Sequence, residues 1–401
     1  MCGIYNILNN KKNNYILTIG AVGLILTHLI VTMYTALFAS VYLIVNYKKL
    51  KNIQIIKKLL INILLILIIT SFFWMPLLEH KLNANYEVFK EGRMERQDVL
   101  IAYKLNFTEL FFTNSNNYMI YEIGFLNIIA LILTPIAFKK IKKTAIYKTY
   151  LFCLISAIVC QIMTLKIFPF ENLPSVLKMI QFSFRLLEFS SFFLSLVVAI
   201  NINILIPKKI KKMDIIIVLI ILMISSMFYI GHLHYLDEPF DEMKLYPAVR
   251  VTKDTGRVHA GLASFEYLPC NAFENRQYLE NRSKDVLILS GDGDISDQEK
   301  NLSKMNFDIA NVTKDTVLEL PYIYYLGYNA YLEEDGKIIK IDTEESENGF
   351  VQIKVNNIDN AKINICYEGT LIMNLSKNIS VIGLIVLIIL FIKRIPRKIK
   401  E

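Results

Sequence analysis

Long apolar stretches and short basic clusters alternate along the first half of the chain, and one such pair returns at its end. Apolar runs cover Ile61–Leu78, Gly124–Phe138, Tyr150–Leu165, Leu186–Ile206, Ile215–Ile230 and Ile379–Ile392. A hydrocarbon core takes about 20 apolar helical residues to cross, so each run predicts a transmembrane helix. The segment Tyr15–Val45 runs for about 30 residues, longer than one span needs. It predicts a hairpin of two short helices with the turn near Thr27 and His28. The sum is about eight crossings.

Between the last two runs the period changes. Val351, Ile353 and Val355 alternate with Gln352 and Lys354, and Ile363, Ile365 and Tyr367 alternate with Asn364 and Cys366. Val286–Leu289 is a short apolar run ended by Gly291 and Gly293. Alternation of this kind belongs to strands with one buried face. Turn signals at Asp335-Gly336, Asn348-Gly349 and Glu368-Gly369 separate the strands. The stretch 232–377 therefore predicts a β-rich, sandwich-like domain of a size normal for one core.

The expected class is a polytopic α-helical membrane protein with an extracytoplasmic β-rich domain before the last span. Its divisions are a membrane domain at 1–231 with seven spans and an external loop at 79–121, the β-rich domain at 232–377, and a C-terminal anchor with a basic tail at 378–401.

The basic clusters orient this arrangement. Lys11 and Lys12, Lys48–Lys58, Lys139–Lys148, Lys208–Lys212 and Lys393–Lys400 all fall on one side of the predicted membrane, and Lys and Arg are retained on the cytoplasmic side. Both termini are then cytoplasmic, in a multi-pass protein of the cell membrane. The formal charge of +8 reports topology, and no nucleic-acid partner follows from it. A chain of 401 residues with 54% hydrophobic residues is too apolar for an ordinary soluble protein. Met1–Asn14 is basic, but the apolar stretch after it is too long for a cleavable signal, so the first helix is expected to stay.

Chemistry is sparse in this sequence. Arg185 lies in Gln181-Phe182-Ser183-Phe184-Arg185-Leu186, where an external stretch enters a span. Its planar donor fork suits the phosphate of a lipid carrier, and snorkelling or pairing with Glu188 at i+3 is the competing reading. His28, at the hairpin turn, could bind phosphate or move a proton, or make a helix-packing hydrogen bond. The acidic run Asp292–Asp297 lacks the glycine and the closing glutamate of a calcium loop and reads as a solvated turn. Glu87, Glu91, Glu95 and Asp98 are carboxylates of the first external loop, where surface charge is ordinary and a general base is the sharper alternative. No metal-ligand, hydrolase or nucleotide-binding motif is present, and no cofactor is evident. Of five cysteines, Cys153 and Cys160 read as core residues of one helix, while pairing of Cys270 with Cys366 is left open.

Three segments together carry a family resemblance. Leu26-Thr27-His28-Leu29, the Gln181–Leu187 stretch, and Glu266-Tyr267-Leu268-Pro269 with Tyr322–Tyr328 and Tyr367-Glu368-Gly369-Thr370 resemble bacterial membrane proteins known as YfhO-like or 6-pyruvoyl-tetrahydropterin synthase-related. Those are similar to the GT-C superfamily of polytopic glycosyltransferases. The resemblance implies transfer of a sugar from a polyprenyl-phosphate donor in cell-envelope glycan synthesis. His28, Gln181 and Arg185 would then contact carrier phosphate, with membrane lipids and envelope glycan as partners. It also implies that this chain begins in the middle of the family's membrane region, as a truncated product or with a second polypeptide supplying the missing spans. The family's acidic catalytic loop has no counterpart here, so the catalytic residue stays unassigned. The alternative is a non-catalytic envelope protein whose β domain binds glycan or a protein.

Overall fold

The computed structural model describes residues 1–11, 15–90, 100–101, 103–111, 123, 125–205 and 267–393, with a few positions between 217 and 224. Most of the expected span Ile215–Ile230, the cluster Lys208–Lys212, all but Lys393 of the last cluster, and Glu91, Glu95, Asp98 and Glu266 lie outside the described residues. The chain forms two compact units, one of Met1–Ala39, Leu43–Arg93 and Leu245–Glu401, the other of Ser40–Tyr42 and Met94–Lys244.

The helices, in chain order, are α1 (Cys2–Leu8), α2 (Ile16–Thr27), α3 (Leu29–Val45), α4 (Ile53–Ile69), α5 (Ser71–Asn83), α6 (Phe125–Ile141), α7 (Tyr147–Thr164), α8 (Ser175–Lys178), α9 (Leu186–Leu205), α10 (Cys270–Glu274), α11 (Arg276–Asn281) and α12 (Leu371–Ile392). Among the described residues, three helices are long and apolar enough to cross a membrane: Tyr147–Thr164, Ser183–Leu205 and Leu371–Ile392. The pair α4 and α5 makes a fourth if it counts as one span. Helices α2 and α3 break at His28, where the hairpin turn is expected, but the link is that single residue rather than the two to five residues of an αα-hairpin.

In the first unit, the apolar run expected at Ile61–Leu78 is not one straight helix, because α4 and α5 meet at Thr70 with a bend of 67°. Pro76 in α5 supplies no N–H to Phe72 O, and a side chain from the far end of the chain enters the ladder at the break. Ser380 Oγ of α12 accepts from Phe72 N at 3.0 Å and lies 3.4 Å from Ile68 O, entering the ladder where those two groups would otherwise pair. Ser71 Oγ donates to Ser376 O at 2.9 Å and shares a hydrogen bond with Ser380 Oγ at 2.9 Å. Close approach of the helices depends on Gly383, where an added Cβ would stand 2.5 Å from Ile68 Cγ2. Thr18 Oγ1 donates to Asn62 Oδ1 at 2.8 Å, a buried bond that ties α2 to α4. Small and hydroxyl residues at helix contacts are the pattern of helices packed in lipid.

The same unit holds a β sandwich. Its nine strands, β1 (Leu287–Ser290), β2 (Asp294–Asn301), β3 (Lys304–Val312), β4 (Thr316–Ile323), β5 (Tyr328–Glu334), β6 (Lys337–Ile341), β7 (Thr343–Glu345), β8 (Phe350–Val355) and β9 (Ile358–Tyr367), make two antiparallel sheets ordered β1-β4-β8-β7 and β2-β3-β9-β5-β6. Phe307, Ile309, Ile363 and Ile365 from one sheet share a core with Leu318, Leu320, Val351 and Ile353 from the other. The alternation read in β8 and β9 is therefore the inward face, except that Tyr367 is exposed. Asp335 (φ 48°) and Gly336 (φ 73°) make a two-residue turn of the primed kind between β5 and β6. Glu368-Gly369 joins β9 to α12 rather than separating two strands.

The outer face of the four-stranded sheet is covered by α10 and α11, with Leu268, Ala272, Leu279 and Phe350 forming a second small core. There Arg282 Nε meets Glu319 Oε1 at 2.9 Å, with both side chains fully buried. Tyr278 OH donates to the same oxygen at 2.7 Å and Ser346 Oγ to Oε2 at 2.7 Å, while Arg282 also donates to Glu319 O, Ser283 O and Asp285 O. Burial and the Glu319 hydrogen bond push the Tyr278 phenol up to about 12.

In the second unit, α9 packs between α6 and α7. Gln161 Nε2 donates to Ser190 Oγ at 2.9 Å across the buried α7–α9 contact. Cys153 and Cys160 are buried in α7, as expected of small apolar residues at i and i+7.

Candidate functional site at the Gln181–Arg185 turn

The connection from α7 to α9 is held by a strand-like contact. Leu105 N donates to Thr164 O at 2.8 Å and Lys166 N to Leu105 O at 2.9 Å, so the 103–111 segment lies along the connection. Pro169 and Pro174 cap short helical turns within it, and Gln181 turns the chain in the left-handed region at φ 68° before α9 begins. Buried Ser183 donates through Oγ to Tyr103 O at 2.6 Å. Phe182 and Phe184 stack with centroids 5.2 Å apart, and the edge of Tyr103 meets both at 5.3 and 5.8 Å.

Arg185 is set by these neighbours. Its guanidinium lies 4.9 Å over the Phe182 ring, and Nη1 donates to Gln181 Oε1 at 2.7 Å and to Ile180 O at 3.3 Å. The left-handed Gln181 turns its own amide back onto the arginine, so two of the three candidate residues are in direct contact. The expected alternative pairing with Glu188 is not formed, and Arg185 makes no ion pair among the described residues. A half-buried guanidinium oriented by an aromatic face, an amide and a carbonyl keeps most of its five N–H donors for an anion.

Two further cations, not singled out by the sequence, sit on this connection. Lys104 Nζ donates to Phe168 O at 2.6 Å, lies 3.5 Å from Glu171 Oε2 and stands 5.7 Å over the Phe170 ring. Lys178 is buried at 9% exposure. Glu171 is held below the usual carboxylate range by its own backbone N–H, with Lys104 and then Lys178 adding to the effect. Spacing alone gives no signal for Lys104, because the fold brings it beside residues 164–171, whereas Lys178 lies on the connection itself.

His28 belongs to the other unit. It is exposed at the α2–α3 break, where its Nδ1 accepts from Val31 N at 3.4 Å, and Thr27 Oγ1 turns back to Gly23 O at 2.9 Å. Its visible role is to cap α3. Glu87 is buried and ion-paired with Lys90 at 3.0 Å, and Lys90 also meets Glu274 at 3.1 Å, so this carboxylate fastens the residues after α5 to α10. Asp292 binds the β3–β4 turn, accepting from Thr313 N at 2.9 Å, Lys314 N at 3.1 Å and the Thr313 hydroxyl, while Asp294–Asp297 is strand rather than turn. No group of three metal-ligating side chains occurs among the described residues. Cys270 and Cys366 are free thiols with separate partners, Cys270 donating to Asn85 Oδ1 at 3.4 Å and Cys366 to Glu368 Oε1 at 3.3 Å.

No family model and no solved structure matches the chain. A stretch of 78 residues, 20% of the chain, is 38% identical to a protein of Lactococcus lactis subsp. cremoris (strain MG1363) described as uncharacterized. The match covers 13% of that relative's length.

Proposed function

We propose that the chain is a multi-pass membrane protein of about eight spans that binds the phosphate of a polyprenyl-linked sugar at the Gln181–Arg185 turn. In this reading it serves transfer of that sugar in cell-envelope glycan synthesis, with both termini cytoplasmic and the sandwich outside. The observation that carries the reading is Arg185. Its guanidinium is oriented by uncharged groups and one ring, without an ion pair among the described residues, at the head of a helix long and apolar enough to cross a membrane. A cation in that position is costly unless an anion meets it, and a lipid phosphate lies at the same depth. Lys104 and Lys178 add positive charge to the connection. The likeness to GT-C proteins supplies the reaction class.

A second reading has its own support. The buried Glu87 carboxylate is ion-paired, and no carboxylate pairs with Arg185 among the described residues. Both favour a non-catalytic envelope protein that holds a lipid-linked saccharide or whose sandwich binds glycan. Labelling of membranes with a polyprenyl-phosphate photoprobe tests the shared step. Arg185→Ala should cut labelling severalfold and Arg185→Lys should restore only part of it, while unchanged labelling in Arg185→Ala removes the turn from carrier binding.

A further inference from the structure

The β2–β3 hairpin ends in a residue that breaks two local rules. Asn301 pairs with Lys304, which leaves Leu302 and Ser303 as a two-residue loop. Leu302 sits at φ 51°, a conformation that glycine adopts freely and that is uncommon for leucine. It is also 90% exposed. A large apolar side chain in a left-handed backbone gains nothing from packing in this fold, and such sites are where function is found.

Register places this tip at the end of the sandwich that leads into α12. Lys304 is opposite Cys366, and Tyr367 N donates to Ser303 O at 3.2 Å. From Tyr367 the chain passes through Glu368, Gly369 and Thr370 into α12. Counting about 20 residues back from Ile392, the length a hydrocarbon core requires, reaches Met373, so the bilayer boundary falls in the first turn of that helix. Leu302 then stands at headgroup depth. Its neighbours suit that depth: the exposed Tyr367 is hydrogen-bonded to the loop through its backbone N–H, and the exposed Lys304 closes the hairpin opposite Asn301. A tyrosine and a lysine beside an exposed apolar residue are the composition of a membrane–water interface.

We infer that the β2–β3 tip is a lipid-docking loop, in which Leu302 inserts into the headgroup layer of the membrane that holds α12 and seats the sandwich on its surface. The inference rests on α12 being a span. Single tryptophans in a Trp74→Phe background test it, with the full chain in nanodiscs of phosphatidylcholine and phosphatidylglycerol brominated at shallow or deep acyl carbons. Leu302→Trp should show blue-shifted emission and severalfold stronger quenching by the shallow bromines than by the deep ones. Ile338→Trp should emit as in water and remain unquenched. Ile338 is 69% exposed, and its partner Glu333 pairs with Lys362, toward the far end of the sheet. Val386→Trp in α12 should be quenched by the deep bromines. If Val386→Trp is quenched and Leu302→Trp emits as in water, the docking loop is overturned while the span stands. Blue-shifted but unquenched emission at Leu302 means that protein covers the tip, which also overturns the inference. An unquenched Val386→Trp overturns the span and the docking loop together. Leu302 and Ile338 are exposed, so neither tryptophan enters a packed core.

Discussion

Glu319→Ala removes the acceptor on which the outer core of the sandwich converges. Four donors lose their partner at once: Arg282 Nε at 2.9 Å, Tyr278 OH at 2.7 Å, Ser346 Oγ at 2.7 Å and, more weakly, Asn348 Nδ2 at 3.4 Å. Arg282 is fully buried and keeps its charge, so breaking the pair costs about 3–5 kcal/mol. Two stranded hydroxyls add about 1 kcal/mol each, though the losses overlap and about 4 kcal/mol is the working figure. Against a domain stability of about 5–15 kcal/mol this is severe. At roughly 4 °C per kcal/mol for a domain of this size, the sandwich should unfold about 15 °C earlier. Temperature-stepped proteolysis of the full chain in detergent, reading loss of the sandwich fragment, gives the midpoint. Replacing both partners, Arg282→Met with Glu319→Leu, removes the charge along with its partner and should recover much of the loss. A Glu319→Ala midpoint within 2 °C of the parent, or a double variant no better than Glu319→Ala, would refute this reasoning.

Other perturbations reach different parts of the molecule. Gly383→Ala drives a Cβ to 2.5 Å from Ile68 Cγ2, and should lower stability in detergent by about 1–3 kcal/mol, read as an earlier thermal midpoint. Ser380→Ala leaves Phe72 N without its 3.0 Å acceptor and should cost about 1–3 kcal/mol in the same assay; a midpoint equal to the parent would mean that the bend does not depend on Ser380. The Thr313 hydroxyl first, and the Thr313 and Lys314 amides with it, hold the Asp292 carboxyl below its usual value. The folded form is therefore the stronger acid, and the Asp292 contribution is full above about pH 4 and lost as pH falls through the lowered value. Asp292→Asn should flatten that acid limb in a series of unfolding midpoints against pH, and an unchanged limb would place the linkage elsewhere.

Parts of this fold are legible in the sequence for a simple reason: they depend on near neighbours. The alternation at Val351, Ile353 and Val355 reads directly as a strand face, because side chains two apart share one side of a sheet. Cys153 and Cys160 read as core, and Asp335-Gly336 as a turn, on equally local grounds. The bend at Thr70 has a local signal in Pro76, but the serine that enters the helix ladder at Phe72 lies 308 residues further on and leaves none. Glu319 reads as a solvent-facing strand residue next to the core residue Leu318, and only the cover of α10 and α11 makes that outward face buried. At the candidate site, Arg185 stands out as a charge at the edge of an apolar run, and Gln181 lies four residues before it. The ring beneath it, Phe182, is equally local at three residues before it, whereas Lys104 reaches the connection only through a tertiary contact that spacing does not encode. His28 belongs to the other unit, where it caps a helix.

Envelope glycan profiling in a strain lacking the gene tests the proposed role of Arg185 most directly, with complementation by the parent chain and by Arg185→Ala. A role in lipid-linked sugar transfer predicts that one glycan modification disappears with the gene, returns with the parent chain and fails to return with Arg185→Ala at equal protein level. A glycan profile unchanged by loss of the gene, or restored in full by Arg185→Ala, would contradict it.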